Sequence, residues 1–336
     1  MHPHPTPAKF FDAVNSFAKT AAVKTAIELD FFTAIGEGTD TAAALAERFS
    51  VAERGARILC DFLTVHGMLT KYESRYALTP DSEVFLNRHS PAYLGGTTEF
   101  LLATQHFESF ARLTEAVRKG GTAESPLGSI APEHPMWVAF ARSMAPMTAM
   151  SAPKIAELVN AGHSGASRIL DIAAGHGMFG IAVAKANPQA HVTALDWPNV
   201  LDVAKENAQK AGITDRFSSI AGSAFDVDYC GPYDAILITN FLHHFDVPTC
   251  ETFLRKVRAA LAPGGHAVTL EFVPNDDRVT PPMPATFSLT MLANTPAGDA
   301  YTRRELDSML RNAGFGASEF HPLEGEFQSI VVTEKG

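Results

Sequence analysis

Residues 168–187 read RILDIAAGHGMFGIAVAKAN: an apolar strand, a loop with three glycines and an apolar helix. Gly175, Gly177 and Gly180 stand at the spacing Gly-x-Gly-x-x-Gly. Glycines at such a junction let the backbone turn tightly and let a ligand come close to it. The next strand, HVTALD, ends in Asp196, where a carboxylate can accept hydrogen bonds from ribose hydroxyls. Strand, glycine loop, helix, strand and acid together point to a βαβ unit that binds an adenosine-bearing ligand. They do not say which one.

Downstream the alternation continues. NVLDVAKENAQKAG reads as a helix closed by Gly212, FSSIAG as a short strand and YDAILIT as a buried one. VPTCETFLRKVRAAL is a helix stopped by APGG, HAVTLEF a strand, TRRELDSMLRNAG a helix and FQSIVVTEK a final strand. This is the pattern of a doubly wound α/β domain with a mostly parallel sheet, beginning after the linker-like NAGHSGAS at residues 160–167.

The N-terminal part has a different character. Periodic apolar residues predict a helix from Phe10 to about Ile35, broken by GEGTD. Thr39 or Asp40 is expected to cap the helix TAAALAERF, and Ser50 the helix VAERGARILCDFLTVHG, which Gly67 closes. MLTKYESRYALT then alternates like a small hairpin. Helix, helix and hairpin make a winged-helix module, but the second helix is mostly apolar, which favours packing or dimerisation over DNA. The organisation expected is a winged-helix-like dimerisation domain at 1–90, linking helices at 91–160 and a cofactor-binding catalytic domain at 161–336.

Composition narrows the partners. With 27 Lys and Arg against 37 Asp and Glu the net charge is −10, which disfavours a phosphate backbone and so nucleic acid. Three scattered cysteines make neither a disulfide framework nor a Cys-rich metal site. No recognised metal-ligand spacing occurs, so no metal is expected. The N-terminus lacks the basic and apolar regions of a signal peptide, and the apolar runs are too short to span a bilayer. The expectation is a cytoplasmic protein with no membrane partner.

Two histidines mark the chemistry. TNFLHHFDVPTC follows the strand YDAILIT, so His243 and His244 sit at a carboxyl strand end, where open sheets bind ligands. On the residues alone, either catalysis or ordinary hydrogen bonding remains open. Asp246 is better read as a helix cap. MWVAFARSMAPMTAM places Met136, Phe140 and Met144 at helical spacing, and Phe287 and Met291 lie four apart. Both sets suit either core packing or an adaptable apolar pocket.

These segments together resemble the metal-independent small-molecule O-methyltransferases, the family of the caffeate-type and hydroxyindole-type enzymes, over nearly the whole chain. LDIAAGHG corresponds to the family's cofactor loop, ALDWPNVL to its ribose segment, APGGHAVTLEF to its proline-glycine turn and fifth strand, and YTRRELDSMLRNAGF to the helix after the substrate region. The resemblance implies a class I methyltransferase sheet, a Rossmann-like arrangement with a winged-helix dimerisation domain in front. It implies S-adenosyl-L-methionine as donor, S-adenosyl-L-homocysteine as product, and a homodimer. It implies Asp171, Gly175, Gly177, Asp196, Trp197, Ser223, Ala224, Phe225 and Thr239 at the cofactor. His243 becomes the general base that takes a proton from an acceptor hydroxyl, and Glu271 the carboxylate that orients it. Met136, Phe140, Met144, His244, Phe287 and Met291 become the acceptor wall. Replacing Glu271 by Gln is expected to cost less than losing His243, because the shape is kept.

The chain departs from the family's pattern in places. Where a second glutamate is usual stands Ala300, beside Asp299; Ser223 replaces an acid near the adenine and Thr239 a lysine, and of the acid and aromatic residue usual after the histidine, His244 takes the acid's place while Phe245 keeps the aromatic. Methyl transfer to a phenol- or enol-type hydroxyl is the leading reading. N- or C-methylation, or a non-methylating reaction on the same scaffold, stays open as the alternative. A winged-helix ligand sensor is opposed by the acidic balance and the His243–Glu271 pair. A nicotinamide-dependent oxidoreductase is opposed by the order of the later strands.

Overall fold

The computed structural model describes residues 5–161, 165, 167–323 and 327–336. The chain divides into two compact units, Met1–Leu102 and Ala103–Gly336.

In the first unit the long N-terminal helix expected from periodicity is three: Ala8–Val14, Ser16–Glu28 and Phe31–Gly36. Asp30 makes the second break by adopting a left-handed conformation, φ 58°, and its carboxylate accepts from the Thr33 hydroxyl at 2.7 Å. The helices Ala42–Phe49 and Glu53–Val65 follow, then β1 (Leu69–Tyr72) paired antiparallel with β2 (Arg75–Leu78). The cap of Ala42–Phe49 is Thr41, whose hydroxyl accepts from the Ala44 amide; Thr39 and Asp40 instead accept from Arg48 and Arg75. Ser50 does not start the next helix but ends this one, in the left-handed region at φ 54°. Phe31, Phe32, Leu45, Cys60, Leu63 and Tyr76 form the unit's core.

The second unit opens with helices that include Thr104–Ala111, Leu113–Lys119, Met136–Ser143 and Ser151–Asn160. Half of the linker-like NAGHSGAS, residues 162–164 and 166, lies outside the described residues. The sheet follows: β3 (Ser167–Ile172), β4 (Ala190–Asp196), β5 (Phe217–Ala221), β6 (Tyr233–Thr239), β7 (Leu261–Glu271), β8 (Ser318–Pro322) and β9 (Ser329–Glu334). Its order is β5-β4-β3-β6-β7-β9-β8. The first five strands are parallel, and β9 enters antiparallel between β7 and β8. This is the doubly wound class I sheet.

One strand reading changes, and one strand lies where none was expected. APGG lies inside β7, where the register against β6 shifts between the pairs Tyr233–Leu261 and Ala235–His266. β8 is a polar, half-buried edge strand whose sequence, SEFHP, carries no apolar alternation. The crevice for a ligand is fixed by topology. β4 leaves β3 on one side and β6 packs on its other side, so the loops after β3 and β6 separate at their carboxyl ends. The two histidines and the glycine loop meet there.

Candidate active site

The glycine loop is built for close approach. Ala173, Gly175 and Gly177 adopt positive φ of 52°, 57° and 72°, a conformation in which a non-glycine residue such as Ala173 carries strain. A side chain at Gly180 would place Cβ 2.6 Å from Val192 Cγ1 and 3.0 Å from Asp171 Oδ2, so glycine there lets helix Met178–Ala186 lie on the sheet. Asp171 is fully buried and its Oδ2 accepts from Gly180 N at 3.1 Å. Burial raises its pKa to about 7. Its Oδ1 has no protein partner.

Asp196 closes the loop from the β4 side. Its Oδ2 accepts from Gly175 N at 2.8 Å and its Oδ1 from Trp197 N at 2.7 Å. Burial lifts its pKa to about 6 against those two bonds. Each oxygen retains a second acceptor site. With Asp171 Oδ1 they offer acceptors to hydroxyl and ammonium donors, and the open backbone of Ala173–Gly177 gives a ligand room. The residues therefore fit an adenosine-bearing, cationic ligand.

The segment after β5 completes this side. Ser223 Oγ accepts from Phe225 N at 3.2 Å, and its carbonyl from Asp226 N and Val227 N. The Ala224 carbonyl accepts from Tyr229 Oη at 2.7 Å. The Phe225 ring packs among Phe241, Phe245 and Phe253, so its side chain is committed to the core. Thr239 is buried at the end of β6.

The histidine turn is held more tightly. After β6, Asn240 takes a positive φ of 55° and the chain enters the 3₁₀ turn Leu242–His244. Glu271, at the end of β7, lies under this turn. Its Oε1 accepts from Leu242 N at 2.8 Å, Phe241 N at 3.0 Å and His243 N at 3.4 Å. Its Oε2 faces His243 Nδ1 at 2.5 Å. His243 and Glu271 are only 4% and 2% exposed. An ionised carboxylate only accepts, so Nδ1 carries the proton and Nε2 presents its lone pair.

The far side of the turn is fixed as well. The Cys250 thiol donates to Leu242 O at 3.3 Å, and the Tyr301 hydroxyl to Phe245 O. A Cβ at Gly298 would lie 2.2 Å from His243 O. Asp246 caps Val247–Ala260 by accepting from Thr249 N. Ala300 is buried, and Asp299 is turned away to Arg278 at 3.0 Å. Among the described residues Glu271 is the hydrogen-bond partner of the histidine ring, with no second carboxylate beside it.

Aromatic rings line the space in front. Phe287 meets the His243 ring edge-on at 4.9 Å and stacks on Phe272 at 4.0 Å. His244 lies 4.3 Å from His243, Trp137 meets His244 at 5.2 Å, and Phe140 lies 5.9 Å from Trp137 and 6.0 Å from His176. Burial and the neighbouring His243 push His244 well below its usual pKa. Burial alone takes His176 down to about 4. Both are neutral at pH 7.

The belt gathers Phe140, His244 and Phe287, three of the residues singled out from sequence. Met136 and Met144 flank Phe140 one turn away and are half-buried. Met291 is buried, its carbonyl accepting from Thr295. Sequence reasoning passed over Trp137, His176 and Phe272. The histidine inside the glycine motif and the aromatic directly after Glu271 were the available signals. Among the described residues no group of three or more His, Cys, Asp or Glu could hold a metal ion, and no helix is long and apolar enough to cross a membrane.

Two family profiles match the chain, one within each of its two compact units. An O-methyltransferase domain profile matches residues 110–316, and an O-methyltransferase dimerisation domain profile matches residues 11–88. A 3-hydroxy-5-methyl-1-naphthoate 3-O-methyltransferase of Streptomyces sahachiroi is 29% identical over 311 residues, covering 92% of this chain and 89% of that protein. A crystal structure from Nostoc punctiforme, assigned to the O-methyltransferases, is 51% identical, with a TM-score of 0.95 over 98% of this chain and 99% of that one. Human N-acetylserotonin methyltransferase, solved with S-adenosylmethionine, shares the fold at 21% identity, with a TM-score of 0.84 over 100% of both chains.

Proposed function

From the premise that the chain belongs to the family of S-adenosylmethionine-dependent O-methyltransferases, we propose that it methylates a hydroxyl on a flat aromatic small molecule, with His243 as general base. The observation that carries this reading is the buried His243–Glu271 pair at 2.5 Å, opening onto a belt of aromatic rings. S-adenosylmethionine, when bound, supplies an electrophilic methyl carbon on a sulfonium. Asp196, Asp171 and the Ala173–Gly177 backbone hold it, with Trp197 and Ser223–Phe225 bordering it.

The chain's own residues prepare the acceptor. A phenol with a pKa near about 10 is almost wholly protonated at neutral pH. His243 Nε2 takes that proton as the oxygen is methylated, and Glu271 stabilises the imidazolium from the opposite ring nitrogen. Phe287, Phe272, Trp137 and Phe140 present ring faces and edges, which suit a planar aromatic partner. Met136, Met144 and Met291 add adaptable apolar volume around it. Named substrates of relatives, a hydroxynaphthoate and N-acetylserotonin, are of this flat hydroxylated type.

The first unit serves as a dimerisation domain. Phe10, Phe11 and Phe17 on its first two helices are exposed, which supports a homodimer that covers them. The three cysteines are free, in keeping with a reducing, cytoplasmic setting. No metal takes part in this scheme, so turnover is expected to survive a chelator.

The test is a methyl-transfer screen over naphthols, hydroxyindoles, catechols and quinols, read as S-adenosylhomocysteine release. Turnover of flat aromatic hydroxyls supports the reading. Turnover confined to amines or carbon acceptors overturns it.

A further inference from the structure

Lys256 belongs to neither the base nor the acceptor wall, yet its side chain is half-buried against backbone. Nζ donates to Phe225 O at 2.8 Å and to Ala224 O at 3.0 Å. It stands 4.5 Å from the centroid of the Tyr229 ring, whose hydroxyl donates to the same Ala224 carbonyl. Among the described residues it forms no ion pair within 4.0 Å; Asp226 and Asp228 act on it only from longer range. The ammonium is thus spent on two carbonyls of one loop.

The consequence follows from peptide planarity. In a trans peptide the C=O and the next N–H point in opposite directions. Drawing the carbonyls of Ala224 and Phe225 toward Lys256 turns the Phe225 and Asp226 amides the other way. Those amides are the ones that close on Ser223, at 3.2 Å to its Oγ and 3.0 Å to its carbonyl. The lysine therefore fixes Ser223 through two peptide planes.

The helix that carries it, Val247–Ala260, ties this loop to the base. Cys250, Phe253 and Lys256 recur every three residues along one slanted row. Cys250 holds the Leu242 carbonyl of the histidine turn. The Phe253 ring lies 4.8 Å from Phe241 and 5.6 Å from Phe225. One rigid row thus touches the base turn at one end and the loop after β5 at the other.

We propose that Lys256 is a positioning residue for the methyl donor: its ammonium sets the path of Ser223–Phe225, and the row Cys250–Phe253–Lys256 keeps that loop in register with the His243 turn. The proposal rests on the reading that Ser223–Phe225 borders the S-adenosylmethionine site, and Asp196→Ala is measured beside it to keep the two apart.

The experiment is calorimetric titration of the full chain with S-adenosylhomocysteine, together with steady-state kinetics and melting temperature. Lys256→Met removes two charge-assisted bonds and is expected to weaken binding about tenfold, with the acceptor KM unchanged. Lys256→Arg, which keeps charge and donors, is expected to restore affinity to within about threefold. Should Lys256→Met fail to fold, Tyr229→Phe carries the test, with an expected loss of about threefold. Unchanged affinity in Lys256→Met, beside a clear loss in Asp196→Ala, overturns the clamp and leaves the cofactor reading standing. Unchanged affinity in both overturns the cofactor reading with it. A lower melting temperature with equal losses in acceptor KM and donor affinity would make Lys256 merely structural, and also overturns the proposal.

Discussion

Replacing Glu271 by Gln changes one atom and reverses the logic of the base. In the native turn Oε1 accepts three backbone N–H groups, and Oε2 faces Nδ1 of His243. A glutamine must choose which of these sites receives its NH₂. Directed at the three amides, it would meet donors with donors and leave buried N–H groups unpaired, at about 1–3 kcal/mol each. The amide oxygen will therefore stay on the backbone and the NH₂ will face Nδ1. A donor there makes Nδ1 the acceptor and moves the imidazole proton to Nε2, the nitrogen that must take the substrate's proton. The reactive tautomer then costs several unmade bonds, and the charge that stabilises the imidazolium is gone. Shape alone makes Gln look like the mild substitution; the hydrogen bonds make it nearly as damaging as losing the histidine. Turnover should fall by about 10²–10⁴-fold, the usual worth of a general base, with S-adenosylhomocysteine affinity within a factor of about three. The assay is initial-rate product release at pH 7 with a proven acceptor, and calorimetry for affinity. Retention of more than a tenth of wild-type turnover, with the fold intact, would refute this chain of reasoning.

Other perturbations probe other parts of the site. Asp196→Ala should weaken donor binding by removing a charged acceptor, while turnover at saturating donor falls less; unchanged calorimetric affinity would mean that Asp196 points elsewhere. Because burial lifts Asp196 to about 6 and Asp171 to about 7 in the ligand-free protein, donor affinity should drop as pH falls from 8 through these values. The sign for folding is opposite: a carboxyl with a raised folded-state pKa opposes folding when ionised, and this penalty is relieved on acidification. Flat affinity between pH 8 and 5 would contradict the first part. Gly298→Ala would drive a Cβ to 2.2 Å from His243 O, so the turn must shift; turnover is expected to fall about 10²-fold, with donor affinity retained, and undiminished turnover would show that the turn yields freely. Phe287→Ala removes the ring against His243 and should raise the acceptor KM more than the donor's, as two titrations of initial rate would report.

The sheet was legible because its buried strands are continuous apolar runs, and because glycines and charged helix ends punctuate them. β8 was not, since a polar edge strand such as SEFHP gains its pairing only from β9. Helix caps were misplaced by one or two residues in the first unit. Thr39, Asp40, Thr41 and Ser50 are all competent caps, and tertiary contacts decide among them: Thr39 accepts a hydrogen bond from Arg48, and Asp40 forms an ion pair with Arg75. At the site, the His243 and Glu271 positions could be read from strand ends and the family resemblance. The three-amide grip of Oε1 could not, because it depends on Asn240 turning the chain at positive φ. Phe225 shows the converse: its place in the sequence suits a ligand contact, yet its ring is packed among three phenylalanines. Ring belts of this kind bring together residues as far apart as Trp137, His244 and Phe287, which no local pattern announces.

The role of His243 is tested most directly by the pH dependence of turnover in His243→Gln beside the wild type, using an acceptor phenol of known pKa. The account predicts a loss of about 10²–10⁴-fold at pH 7, donor affinity nearly intact, and a defect that shrinks as pH approaches the phenol's own pKa, where the acceptor ionises without help. Full turnover of His243→Gln at pH 7, or a defect that stays constant up to the phenol's pKa, would contradict it.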